Sequence, residues 1–217
     1  MSDSEFAEVE KIIGYEFKDK TLLKVALTHT SYANENSCES NQRLEFLGDR
    51  VVNFAVAESL YESISGEEGE LNRELSSVVS EVPLAAAVRD MKLLDYCAFG
   101  KGLQKNLSSL KDKHISDIFE AVAAAIYLDG GMECARRFVF EKLLNAGYRA
   151  PSDYKTALKE YLDKRGELIK FECIEENGRY ESRITVCGKE FCGFGDRKIA
   201  AEQNAAKAAL EYLNEEN

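Results

Sequence analysis

The chain has 217 residues, 45% of them hydrophobic and 31% charged, which is the balance of an ordinary globular protein. No apolar run approaches the roughly 20 residues that cross a bilayer, and the acidic start MSDSEFAEVEK lacks the apolar core of a secretory signal. We therefore expect no membrane association and a cytoplasmic location. The formal net charge of −11 argues against nucleic acid as a partner of the whole surface, so any patch that binds phosphate has to be local.

Helical periodicity dominates the first two thirds of the chain. The predicted helices are separated by short polar or glycine-bearing breaks and cover about 5–13, 20–28, 42–63, 70–80, 82–91, 93–97, 116–128 and 131–146. Alternation of the strand type does not stand out in this region. The pattern predicts an all-α domain over residues 1–147.

The pattern changes at NAGYRAPSDY, where Gly147 and Pro151 end the last of these helices. We assign 148–152 to a linker. A helix follows in YKTALKEYLDKRG, then strand-type segments in IKFECIEE, YESRITVCG and KEFCGFG, and finally an alanine-rich helix. The order α-β-β-β-α predicts a small α+β domain over 153–217, so the fold class is a multidomain chain.

Cysteine and histidine usage disfavours a disulfide framework and a zinc site. The six cysteines form no CxxC pair, and His29 and His114 have no cysteine or second histidine at ligand spacing. We interpret the cysteines as reduced thiols that fill small apolar spaces, although Cys187 and Cys192 could face each other near a hairpin. A glycine-rich phosphate loop is also missing, so we expect no nucleotide cofactor.

Two pairs of acids interrupt apolar helical stripes. Glu45 and Asp49 are four residues apart, and Asp117 and Glu120 are three apart, so each pair shares one helix face. If the two stripes pack together, four carboxylates converge, and a low-dielectric site holds them only with a cation. Oxygen ligands suit Mg²⁺ or Mn²⁺, which can activate water for attack on a phosphoryl group. The alternative is ordinary solvated helix acids, in a chain with 39 Asp and Glu.

The segments that carry these acids resemble ribonuclease III. NQRLEFLGDRVV is similar to the signature segment of that family, and SDIFEAVAAAIYLDGG is similar to its second acidic motif. The first motif is long and highly specific. DYKTALKEYLDKRG and AEQNAAKAAL resemble a double-stranded-RNA-binding domain, so the resemblance covers nearly the whole chain in the order of a bacterial-type enzyme.

This resemblance implies a homodimeric endonuclease that cuts double-stranded RNA with Mg²⁺, or with Mn²⁺ as a substitute. It implies 5′-phosphate and 3′-hydroxyl products, and precursor ribosomal RNA and structured messenger RNA as substrates. By position, Glu45, Asp49, Asp117 and Glu120 match the metal-binding carboxylates, and Asp49 and Glu120 match the central catalytic pair. Phe46 matches an aromatic residue that fits a pocket on the partner subunit, with plain core packing as the alternative.

The chain departs from the family pattern mainly in its RNA-binding segments. Thr156 and Lys159 occupy the places of minor-groove contacts, and Arg197 and Lys198 form the basic cluster at the start of the last helix. Ile199 stands where a second lysine is frequent. These residues have surface solvation as their alternative interpretation.

Three further residues, Leu103, His29 and His114, are interpreted one by one. Leu103 replaces a frequent glutamate of the family, so we expect an altered loop on the substrate side. We interpret His29 as a hydrogen bonder at a helix end and His114 as a surface residue.

Two other functions remain open at this point. The first is a catalytically silent dimer that binds double-stranded RNA, against which the retention of all four acids argues. The second is a metal-dependent phosphohydrolase of small molecules, against which the α-β-β-β-α domain argues.

Overall fold

The computed structural model describes residues 1–150 and 153–215, and the chain divides into two compact units after Ala150. The first unit is helical, as predicted. Its helices are α1 Asp3–Ile13, α2 Lys20–Ala26, α3 Thr30–Asn36, α4 Gln42–Ser63, α5 Glu68–Val79, α6 Glu81–Asp90, α7 Lys101–Gln104, α8 Asp112–Gly130 and α9 Met132–Val139. A π-helical turn, Phe140–Leu144, continues α9.

The first unit is built around α8. Every side chain from Ala121 to Ile126 is fully buried, because α8 is covered by α2, α4, α6 and α9. A helix that is apolar on all sides belongs in the centre of a domain. Its most extensive neighbour is α4, which buries Val52 and Val56 on the face that the sequence predicts.

Gly48 allows the closest approach of α4 to α8. A Cβ atom at this position would overlap the carbonyl carbon and oxygen of Glu120, so the two main chains touch here. Only glycine leaves room for such a contact. The contact lies between Glu45 and Asp49 along α4 and coincides with an acid of α8, so it determines how near the two pairs of acids are.

Helix α3 was not predicted from the sequence. The segment THTSYANEN is polar and has no apolar face, so tertiary contacts stabilise it instead. The chain entering α3 pairs with a second segment: the His29 amide donates to the Ala98 carbonyl at 3.0 Å, and the Ala98 amide donates to the Leu27 carbonyl at 2.8 Å. Ser31 Oγ then accepts from the Gly100 amide at 2.9 Å.

The second unit has the predicted order of elements: α10 Tyr154–Asp163, β1 Glu172–Glu176, β2 Arg179–Val186, β3 Lys189–Gly195 and α11 Lys198–Glu215. The strands form an antiparallel sheet in the order β1-β2-β3. Its core is formed by residues from both helices and the inner sheet face, namely Leu158, Leu162, Ile184, Val186, Ala205, Ala206, Ala209 and Leu213. The outer sheet face carries the cross-strand row Ile174, Glu181 and Phe194.

The interval 148–152, predicted as a linker, is attached to the first unit over its first residues. The Tyr148 hydroxyl donates to Asp90, and the Ala150 amide donates to the Ser77 carbonyl at 2.6 Å. Residues 151 and 152 lie outside the described residues, as do the last two of the domain predicted over 153–217. The domain boundaries therefore stay predictions.

The structure differs in part from two expectations, one about the cysteines and one about Leu103. All six cysteines are free thiols, but Cys38, Cys187 and Cys192 are exposed, so these three do not fill apolar space. Leu103, expected in a loop, lies in the short helix α7 and packs against the core. Across the described residues, no helix combines the length and apolarity that crossing a bilayer requires.

Candidate active site

Three of the four predicted carboxylates meet at one end of the α4–α8 contact. Glu45, Asp117 and Glu120 each present an oxygen atom, and these atoms lie within 4.8 Å of one another. All three side chains are partly buried. Such a set of hard oxygen donors, open on one side, fits a divalent ion of the Mg²⁺ type, which keeps several waters when it binds to protein carboxylates.

Asp49 lies beside this group but does not join it. Its Oδ1 accepts from the Asn53 amide nitrogen at 2.8 Å, and its Oδ2 pairs with the neighbouring Arg50. These two contacts turn the carboxylate along α4, although its charge still acts on Glu120. The sequence placed Asp49 on the correct face but could not predict its side-chain conformation.

The three carboxylates of the group do not ionise easily together. The pKa of Glu120 is raised to about 8, mainly by burial and then by the charges of Asp49, Asp117 and Glu45, in that order. Burial is also the main cause that raises the pKa of Glu45 and of Asp117. Carboxylates that resist ionising together become fully charged when a divalent ion compensates them.

The sequence did not predict that cationic side chains lie beside these carboxylates. Lys113 Nζ donates to Asp117 Oδ1 at 3.5 Å, and His114 Nδ1 lies 3.8 Å from Asp117 Oδ2. His114 is exposed, as expected, but it also belongs to this neighbourhood. The i,i+4 spacing of Lys113 and Asp117 is visible in the sequence, but the predicted helix began at residue 116 and left Lys113 outside it.

His29 lies next to the site and contacts it through His114. It caps α3, where its Nδ1 accepts from the Ser31 amide at 3.1 Å, as the sequence predicted for a helix end. Its ring contacts the His114 ring with centroids 5.9 Å apart. Burial, followed by the charge of His114, lowers the pKa of His29. Both histidines of the chain therefore lie on the Asp117 side of the site.

Phe46 points away from the carboxylates and is 72% exposed. It stands at the edge of a groove of about 680 Å³ in the first unit. The apolar lining of the groove includes Leu22, Val25, Leu44, Leu47 and Leu128. Leu128 lies near the end of α8 and is 51% exposed.

The predicted RNA contacts of the second unit are all at its surface. Thr156 is exposed, and its hydroxyl donates to Asp153 at 2.7 Å within the N-terminal cap of α10. Lys159 is exposed on the same helix. At the start of α11, Arg197 and Lys198 are exposed, and Ile199 is 70% exposed. Exposure is what a contact with phosphate requires, and the roles themselves stay predictions.

Contacts that the sequence did not indicate join the two helices of this unit. Lys155 Nζ pairs with the buried Glu202 carboxylate at 2.7 Å. The Gln203 amide nitrogen donates to Asp153 at 2.7 Å, and its oxygen accepts from the Lys155 amide at 3.1 Å. Together they hold the start of α10 against α11.

Known family profiles match one segment in each of the two units. A family profile described as Ribonuclease-III-like matches residues 19–146, and a profile described as Double-stranded RNA binding motif matches residues 154–213. Ribonuclease 3 of Streptococcus uberis is 38% identical over 216 residues, which cover 93% of this chain and 94% of the relative. Ribonuclease 3 of Symbiobacterium thermophilum is 40% identical over 212 residues, which cover 91% and 90%.

Solved structures give the same result for the helical unit. The nuclease domain of ribonuclease III from Campylobacter jejuni is 34% identical and superposes with a TM-score of 0.58, covering 65% of this chain and 96% of that domain. A second structure of that domain, described for structural flexibility in the region involved in dimer formation, gives a TM-score of 0.57 at 34% identity, with 62% and 96% covered.

Proposed function

Because this chain belongs to the ribonuclease III family and is an endoribonuclease of that class, we propose that it hydrolyses double-stranded RNA at a divalent-metal site formed by Glu45, Asp49, Asp117 and Glu120. The observation that carries the proposal is the convergence of carboxylates from α4 and α8, with ligand atoms within 4.8 Å of one another. The match of the second unit to a double-stranded RNA binding motif supports double-stranded RNA as the substrate.

The proposed ion is Mg²⁺, with Mn²⁺ as a substitute, because both accept carboxylate oxygens without histidine or thiolate. When bound, such an ion activates water and stabilises the charge that develops on the phosphoryl group. Glu45, Asp117 and Glu120 would hold the ion in this scheme, and Asp49 would join them once it gives up its contacts with Arg50 and Asn53. Asp49 and Glu120 are proposed as the catalytic pair. The products carry 5′-phosphate and 3′-hydroxyl ends.

A cleavage assay with the purified chain tests this function. A long RNA duplex should be cut with Mg²⁺ and stay intact with EDTA. Glu120→Gln should lower the cleavage rate by at least about 100-fold, because loss of a metal ligand exceeds the loss known for outer partners. Binding of the duplex by Glu120→Gln should persist in a gel-shift measurement.

Glu133→Gln on α9 is a suitable control, because its side chain is 87% exposed. This control should cleave at the rate of the unmutated chain. Binding of the duplex without cleavage by the unmutated chain would refute the proposal and favour a silent RNA-binding dimer.

We also propose that the chain acts as a homodimer through Phe46. A symmetric contact uses the same surface on both subunits, and an exposed aromatic beside an apolar groove offers both halves of such a contact. Two copies place two sites on one duplex. The description of dimer formation in the Campylobacter jejuni nuclease domain supports this assembly.

The dimer is tested by sedimentation equilibrium of Phe46→Asp, which should shift the chain toward the monomer. Phe194→Asp is the matched control, since Phe194 is a 63% exposed phenylalanine of the second unit. An unchanged mass for Phe46→Asp would exclude this residue from the interface.

Binding of the duplex is assigned to Thr156, Lys159, Arg197 and Lys198. A-form RNA is recognised through phosphates and 2′-hydroxyls, so these contacts confer affinity with little sequence preference. By kinship, the proposed natural substrates are precursor ribosomal RNA and structured messenger RNA, and the proposed location is the cytoplasm.

A further inference from the structure

Lys113 is the permanently charged side chain that contacts the three-carboxylate group. It lies one turn before Asp117 on α8, and its Nζ donates to Asp117 Oδ1 at 3.5 Å. Its own side chain is 57% exposed, whereas that of Asp117 is 14% exposed. The ammonium thus reaches from solvent onto a carboxylate that faces the interior of the site.

The Lys113 charge acts on all members of the group. It opposes the effect of burial on the pKa of Glu45, of Asp117 and of Glu120. Over the residues that the structure describes, the ion pairs recorded for these three acids join Asp117 to Lys113 and to His114, and His114 is charged only when protonated. Arg50 pairs with Asp49, which lies outside the group.

We propose that Lys113 is a resident counter-ion of the acid cluster, which competes with the divalent ion for Asp117 and thereby sets the metal concentration at which the site fills. The inference rests on the proposed metal site and extends it to a residue that is not one of its ligands. Lys113 would not touch the metal ion, so its effect on metal binding would act through Asp117.

The competition follows from elementary electrostatics. A metal ion and the ammonium would share one carboxylate, and two cations at that spacing repel each other. In the metal-free protein the ammonium reduces the mutual repulsion of the acids. The flexible four-carbon stem of lysine and its exposed path to solvent allow the ammonium to leave when metal enters.

Removal of the Lys113 charge should therefore change two quantities in opposite directions. Lys113→Met should bind Mn²⁺ more tightly, with a dissociation constant about three- to tenfold lower, since solvent screens an exposed pair. In EDTA the same variant should melt about 1–3 °C lower, because the acids lose their compensating charge. Lys113→Arg should restore both values, because it keeps the charge.

The experiment measures Mn²⁺ binding by calorimetry and thermal unfolding with and without Mn²⁺, at a pH above the value of about 8 for Glu120. Lys11→Met is the matched control, since Lys11 is an exposed lysine in the last turn of α1. It should leave Mn²⁺ binding unchanged.

The outcomes separate this inference from the proposed function. Mn²⁺ binding that is unchanged or weaker in Lys113→Met, while the unmutated chain binds normally, overturns the counter-ion and leaves the metal site standing. The same holds if Lys113→Arg behaves like Lys113→Met. Failure of the unmutated chain to bind Mn²⁺ overturns the metal site and the counter-ion together.

Discussion

In the folded, metal-free protein, Glu120 keeps its proton over a pH range in which the unfolded chain releases it. Its pKa rises from the ordinary 4.5 to about 8, with burial as the main cause. A carboxyl group with a raised folded-state pKa stabilises the fold fully below its ordinary pKa and loses that contribution as the pH rises toward the folded-state value. Glu45 and Asp117 shift in the same direction.

We therefore expect the metal-free protein to lose stability between about pH 4.5 and pH 8, the range set by Glu120. Glu120→Gln mimics the protonated side chain and should flatten this dependence. The measurement is the urea midpoint in EDTA over a series of pH values. Glu62→Gln, at an exposed position on α4, should keep the slope of the unmutated chain, and an equal slope for Glu120→Gln would contradict the assignment.

At the residue scale the sequence predicted the identity of the acids better than their conformation. Apolar stripes around Glu45 and Asp117 indicated that the acids are partly buried, and the structure places them so. The turn of Asp49 toward Asn53 depends on local side-chain contacts, which periodicity does not encode. Lys113 was missed because a polar first turn carries no hydrophobic signal.

At the scale of elements, the contact between α4 and α8 depends on Gly48. We expect Gly48→Ala to destabilise the chain by about 3 kcal/mol or more, because a Cβ there overlaps the main chain of Glu120 and the helices must separate. Separation also moves Glu45 away from Asp117, so cleavage should fall with stability. Chemical denaturation and the duplex assay measure the two effects.

Gly102→Ala provides the control for this prediction. Gly102 lies in helix α7, and a Cβ there would meet nothing within 4 Å. Alanine is a better helix former than glycine, so this change should be neutral or slightly stabilising. Equal losses for the two variants would show that the Gly48 contact is not special.

Elements with a strong apolar period were predicted well, and those held by tertiary contacts were not. Helix α4 and strand β3 have the predicted bounds. Helix α8 begins at Asp112, four residues before the predicted start, because its first turn is polar. Helix α3 was missed, since its stability comes from pairing with the segment around Ala98.

At the scale of the whole molecule, the net charge does not show where basic residues cluster. The chain carries −11 overall, yet Arg197 and Lys198 lie together at the start of α11. Composition predicts that any phosphate-binding patch is local, but it does not indicate where such a patch lies. The family resemblance was needed to point to α11.

Ile199→Lys tests whether this end of α11 meets the phosphates. The added lysine should raise duplex affinity about five- to tenfold near 0.1 M salt and steepen the salt dependence by about one unit. Fluorescence anisotropy over a salt series measures both. Ile174→Lys, on the outer sheet face, adds the same charge at a 52% exposed isoleucine. Equal gains for both variants would indicate attraction by overall charge alone.

At Gly48 the distance between α4 and α8 is limited by main-chain atoms, so the spacing of the carboxylates should depend little on which apolar side chains fill the surrounding core. We expect aliphatic exchanges in the surrounding core to leave that spacing in place. Gly48 itself should accept no such exchange, because any Cβ atom there would overlap the main chain of Glu120.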